Sequence, residues 1–161
     1  MYYLGKGIEK NYKKAFEWYE KVASQGFADA QINLGNMYYY GEGVEKDSKK
    51  AFEWYEKAAS QGDEKAETTI SAIKGDANAQ YELGDMYYYG EGYYYGEGVE
   101  KDYKKAFEWY EKAASQGYAD AQYSLGNMYK YGRGVEKDSK KAKKLFKEAC
   151  DGGHQDSCKL I

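Results

Sequence analysis

The stretch KKAFEWYEKAASQG, Lys49 to Gly62, decides how the rest of the chain is read. It returns as KKAFEWYEKVASQG from Lys13 to Gly26 and as KKAFEWYEKAASQG from Lys104 to Gly117. A degenerate copy, KKAKKLFKEACDGG, runs from Lys140 to Gly153. Self-similarity at a fixed period of roughly 20–50 residues is the signature of a solenoid and outranks any local motif. Such an array has no single central core, since each repeat packs on its neighbours.

One full unit is ADAQINLGNMYYYGEGVEKDSKKAFEWYEKAASQG, Ala28 to Gly62. Its first helix is expected from about Ala28 to Tyr40, where Ala30, Leu34, Met37 and Tyr38 form one stripe. Gly35 weakens that helix by about 1 kcal/mol, and close approach of a neighbouring helix is the expected return. Gly41-Glu42-Gly43 ends it, because glycine accepts the left-handed conformation of a helix end. Val44 is expected to plug the hairpin, and Asp47 to cap a second helix of about Ser48 to Ser60. Ala51, Trp54, Tyr55 and Ala58 form the buried stripe of that helix, and Gly62 stops it.

Composition agrees with an all-α chain: proline is absent, helix formers are common and 32% of the 161 residues are charged. The net charge of −3 is small, with both signs interleaved. No basic patch fit for several phosphates stands out, so nucleic acid is not an expected partner. No apolar run approaches the ~20 residues of a membrane span. The 21 Tyr and 3 Trp suit both thin two-layer packing and binding surfaces.

The pattern closely resembles the Sel-one-like repeat family, relatives of the tetratricopeptide repeats. It is carried by Ala30-Gln31, Leu34-Gly35, Met37-Tyr38, Gly41-Glu42-Gly43-Val44, Asp47, Lys50-Ala51, Trp54-Tyr55, Lys57-Ala58-Ala59 and Gly62. The resemblance covers nearly the whole chain. It implies a right-handed superhelical solenoid of antiparallel helix pairs that acts as a protein-interaction scaffold or adaptor in signalling, at the cell envelope or in host contact, with no cofactor.

Three departures from the repeat are informative. Met1-Tyr2 aligns with Met37-Tyr38, so the chain opens in the last turn of a first helix, as a fragment or frayed end would; end-to-end association is one consequence. Trp18 and Trp54 lie 36 residues apart, but Trp54 and Trp109 lie 55 apart. Part of the excess is Asp63 to Gly75, read as a short closing helix with Ala66, Ile70 and Ile73 on one face. The expected organisation is an array over residues 1–74 and a second over 75–161, or one continuous solenoid. The remaining excess is YYYGEG, present at Tyr87–Gly92 and again at Tyr93–Gly98. It is expected to expose Tyr93, Tyr94 and Tyr95 on a loop, either as an aromatic contact or as a tolerated duplication.

Cys150 and Cys158 are the only cysteines, and the turn at Gly152-Gly153 could bring them together. The segment KEACDGGHQDSCKLI resembles the Helicobacter cysteine-rich branch of the family. That resemblance implies a disulfide in an oxidising compartment, hence a periplasmic or secreted protein. It also implies an alternative function, penicillin binding or weak β-lactamase activity. Two free thiols in a cytoplasmic protein starting at Met1 is the other reading. A Cys150–His154–Cys158 metal site lacks a fourth ligand in a closed set. Ser71-Ala72-Ile73-Lys74 matches Ser-x-x-Lys, but the companion Ser-Asp-Asn and Lys-Thr-Gly elements are absent, so no catalytic residue is assigned. Glu53–Lys57 and Glu108–Lys112 are read as i,i+4 surface pairs.

First helices line the concave side of superhelical helix-pair repeats. The exposed stripe is expected to carry Asn33, Asn36 and Tyr40, then Glu82, Asp85 and Tyr89, then Ser124, Asn127 and Tyr131. Amide, carboxylate and hydroxyl groups there could hydrogen-bond an extended peptide while the rings pack its side chains. The partner is a protein or peptide.

Overall fold

The computed structural model describes residues 11–90 and 100–161; the Met1-Tyr2 start and the Tyr93–Tyr95 loop lie outside them. The described residues form eight α-helices and one 3-10 helix, with no strand. In order these are α1 (Tyr12–Ser24), α2 (Ala28–Tyr40), α3 (Ser48–Ala59), α4 (Glu64–Lys74), α5 (Ala77–Tyr89), α6 (Tyr103–Ser115), α7 (Ala119–Tyr131), α8 (Ser139–Asp151) and the 3-10 helix Gln155–Leu160. The fold class is all-α, a helical-repeat solenoid. Its contacts divide into two units, Met1–Ile70 and Ser71–Ile161.

In the first unit α2 packs on α1 and α3. Gly41 ends α2 in the left-handed region, at φ 74°, and the Asp47 carboxylate caps α3 by accepting from Lys50 N at 3.0 Å. Asp47 N donates to Tyr38 O at 2.9 Å, which folds the start of α3 back against the end of α2. Val44 is only half-buried. On α4 the buried residues are Ala66, Thr69 and Ala72, while Ile70 and Ile73 are half-buried. Thr69 joins the inner face because its Oγ1 donates to Lys65 O at 2.7 Å, which satisfies the hydroxyl.

In the second unit α5 packs on α6, α6 on α7, α7 on α8, and α8 on the 3-10 helix. The same fold-back recurs: Asp102 N donates to Tyr87 O at 2.8 Å and Asp138 N to Tyr129 O at 3.0 Å. The residues after Gly153 form a 3-10 helix where the preceding repeats begin an α-helix.

The helices of each pair meet at a glycine. A Cβ on Gly35 would lie 2.6 Å from Tyr55 Cε1; on Gly84, 2.5 Å from Tyr110 Cδ1; on Gly126, 2.6 Å from Phe146 Cε1. The aromatic ring occupies the space a side chain would take, which is the close approach expected of Gly35. Lys57 and Lys112 each lie 3.8 Å from the ring centroid of the Trp three residues earlier, a contact the charge pattern did not disclose.

Candidate interaction face and disulfide clip

Repeat position places Asn36, Asp85 and Asn127 in the same register, one turn beyond Ile32, Tyr81 and Tyr123. Two of them meet the ring that fills the glycine gap. Asn36 is buried and its Oδ1 accepts from the Tyr55 hydroxyl at 2.8 Å. Asp85 Oδ1 accepts from the Tyr110 hydroxyl at 2.5 Å. The third ring is Phe146, which has no hydroxyl to give. Asn127 is half-buried and its amide is left with no hydrogen bond to a described residue. Asn36 therefore braces a helix pair, whereas Asn127 keeps its donors and acceptor free.

The other predicted residues are placed as follows. Asn33 donates to Asp29 O on its own helix at 2.9 Å, and Tyr40 is half-buried beside Tyr39. Glu82 accepts from Asn78 Nδ2 at 2.9 Å, and Ser124 lies near the Tyr81 hydroxyl. Tyr89 and Tyr131 are exposed, at 49% and 55%. In the second unit α5 and α7 lie side by side in register. The Tyr118 hydroxyl donates to Asn78 Oδ1 at 2.7 Å at one end, Tyr81 meets Ser124 midway, and Arg133 donates to the Tyr88 hydroxyl at the far end. Glu82, Asp85, Tyr89, Ser124, Asn127 and Tyr131 thus share one face. Asn33, Asn36 and Tyr40 belong to the first unit.

Burial is the main cause that raises the Asp85 carboxyl above its ordinary value; the Tyr110 and Tyr81 hydrogen bonds act against it, and Glu82 and Asp120 add to it. Burial first, and the Asp85 charge second, push the Tyr81 and Tyr110 hydroxyls well up. Both therefore keep their protons and act as donors.

The sequence reading missed Tyr81, Tyr118 and Arg133. Tyr81 could have been found: Ile32, Tyr81 and Tyr123 vary at one repeat position while the flanking Leu and Gly do not. Arg133 lies 5.4 to 5.9 Å from the rings of Tyr131, Tyr88 and Tyr103, contacts that cross repeats and leave no local pattern.

A disulfide joins Cys150 and Cys158, with their Cα atoms 4.9 Å apart. It uses both sulfurs, so the Cys–His–Cys spacing is not a ligand set; no metal-holding cluster occurs among the described residues. His154 caps the 3-10 helix: Nδ1 accepts from Ser157 N at 3.2 Å. That places the proton on Nε2, which lies 3.8 Å from Asp120 Oδ1, and the ring stacks on Tyr123 at 4.3 Å. The two cysteines lie eight positions apart. The same spacing recurs in hydrogen bonds: Gln31 Nε2 donates to Ala23 O at 3.2 Å, Gln80 to Ala72 O at 3.1 Å and Gln122 to Ala114 O at 3.4 Å. The disulfide occupies the position of this clip at the last junction.

The Sel1 repeat model matches the chain at residues 1–27, 28–63, 77–118 and 119–154. The chain belongs to the Sel1 repeat family. Sel1 repeats generally serve as protein–protein interaction modules and are generally not enzymes. The chain is similar to a Sel1 repeat protein from Oxalobacter formigenes, with 31% identity and a TM-score of 0.51, covering 96% of this chain and 50% of that one. It is also similar to c5321, a protective antigen of uropathogenic Escherichia coli that displays this fold. There the identity is 29%, the TM-score 0.51 and the coverage 97% and 37%. The chain thus spans half or less of these two Sel1 proteins. Helicobacter pylori cysteine-rich protein B is 27% identical with a TM-score of 0.49, covering 98% and 99%. No curated protein matches the chain significantly. No described helix is long and apolar enough to cross a membrane, and the disulfide is compatible with a place outside the reducing cytoplasm.

Proposed function

We propose that this Sel1 repeat protein is an interaction scaffold that holds an extended segment of a partner protein on the first-helix face of its second unit. The observation that carries the reading is the free Asn127 amide, set between two rows of side chains held in register. An amide offers a donor and an acceptor at once, which is what a peptide backbone presents in return. Tyr89 and Tyr131, about half exposed, supply ring surface at low entropic cost. Ser124 and Glu82 sit on the same stripe. The disulfide supports a periplasmic or secreted setting for this activity. The β-lactam hydrolase reading has no comparable support: Ser71 and Lys74 are both exposed in the last turn of α4.

The test is selection of random displayed peptides on the full chain, followed by binding of the enriched peptides to Asn127→Ala and Tyr131→Ala. Enriched peptides should lose at least about tenfold in affinity on either variant, about 1.4 kcal/mol. No enrichment, or peptides indifferent to both changes, would sink the proposal.

A further inference from the structure

We propose that the partner segment is cationic, with a lysine or arginine side chain seated against Asp85 and the rings of Tyr81 and Tyr118. This rests on the interaction-face reading above and names the partner's chemistry.

The argument begins with what packing requires. Asn36 shows that an amide oxygen is enough to accept the hydroxyl of the gap-filling tyrosine, at 2.8 Å. Asp85 performs the same task for Tyr110, so its negative charge exceeds what the helix pair needs. No cation of the described chain pairs with it. The groups facing it from α5, α6 and α7 are Tyr81, Glu82, Tyr89, Tyr110 and Asp120, each neutral or acidic. Two basic groups of this unit are engaged elsewhere: His154 faces Asp120 and Arg133 the Tyr88 hydroxyl. A half-buried carboxylate without a countercharge is costly, and two tyrosine donors offset only part of that cost.

Ring surface lies beside the charge. The residue one turn before Asp85 is Tyr81, as Tyr123 precedes Asn127, where the first unit has Ile32 before Asn36. Tyr81 lies 5.4 Å from Tyr118 and 5.8 Å from Tyr110. Aromatic faces beside carboxylates suit an ammonium or guanidinium group. About one turn beyond Asp85 the same face becomes basic, with Lys130 and Arg133 lying 5.3 and 5.4 Å from the Tyr131 ring. The face is therefore polar along its length. It repels an acidic side chain at Asp85 and orients a partner whose basic residue lies there.

The probes are the displayed peptides enriched on the full chain, together with analogues in which the basic residue is norleucine. Asp85→Asn is the diagnostic variant, since Asn36 and Asn127 hold the same repeat position and a melting temperature no lower than that of the wild type would certify its fold. Enriched peptides should share a lysine or arginine at a fixed position. Norleucine there should weaken binding at least about tenfold on the wild-type chain and less than about twofold on Asp85→Asn. Enriched peptides without a shared cation, or an equal norleucine effect on both proteins, would overturn the inference and leave the interaction face standing. Peptides indifferent to Asn127→Ala would remove the face itself.

Discussion

A single atom decides the contacts at the glycine positions. An alanine at Gly84 gains about 1 kcal/mol of helix propensity, but its Cβ would lie 2.5 Å from the Tyr110 ring. That ring is tied by its hydroxyl to Asp85 and cannot tilt without losing the bond. At Gly126 the gap is as tight, yet Phe146 has no such tie. Gly84→Ala should therefore lower stability by about 1–2 kcal/mol net of overpacking and propensity, and Gly126→Ala by clearly less. Urea unfolding of the two variants tests the order. Asp85 gives a second prediction at this scale. Its folded value lies above the ordinary 3.8 because burial disfavours the charge. The stabilisation associated with its protonation is fully present below the unfolded value and is lost as pH rises through the folded one. Asp85→Asn removes the buried charge, so it should be the more stable protein at neutral pH. That advantage should shrink as the pH falls toward 3.8. Unfolding curves of both proteins across that window decide it; a gap that widens on acidification would contradict the assignment.

At the level of the helices, the clip is a small repeated device. Gln61 Nε2 donates to Gln31 Oε1 at 2.9 Å, and Gln116 to Gln80 Oε1 at 2.8 Å, so the clip glutamine is held at both ends. The corresponding donor for Gln122 falls at Gly152, and Gln122 Oε1 is buried without a partner. Gln122→Leu should then cost less than Gln80→Leu, by up to about 1 kcal/mol, because the second change also removes an acceptor of Gln116. Thermal denaturation of both variants measures the difference. The equivalence of clip and disulfide also predicts that Ala114→Cys with Gln122→Cys closes a second disulfide on oxidation. Thiol titration would find the new pair free if the equivalence were wrong. These features show where a sequence is legible. Helix limits, the Asp47 cap and the Gly35 contact could be read, because each follows from local pattern or from the absence of a Cβ. The clip could not: nothing in Gln31 alone says that its amide reaches a carbonyl eight residues back. Nor could the unequal fates of Asn36, Asp85 and Asn127, which depend on whether the facing ring carries a hydroxyl.

Over the whole chain, stability in a repeat array is a sum of local terms and nearest-neighbour contacts. The consequences of breaking the disulfide should be local for the same reason. Cys158 is exposed and therefore open to a reductant. The cystine closes a short loop, and the chain-entropy relation assigns such a closure about 2–3 kcal/mol. The 3-10 helix has little else to hold it. Its six residues contribute the buried Ser157 and rest on the His154 cap. His154 in turn stacks on Tyr123 of α7. Reduction should first release this segment, then loosen α8, and free Tyr123 from the imidazole at the edge of the interaction face. Hydrogen exchange with and without reductant should show lost protection in the 3-10 helix and the last turns of α8. Helices α1 to α3 should not change. Uniform loss across all the helices would mean that the chain unfolds as one cooperative body, which would refute the nearest-neighbour account. Unchanged exchange at residues 155–160 would mean that packing, rather than the disulfide, holds that end in place.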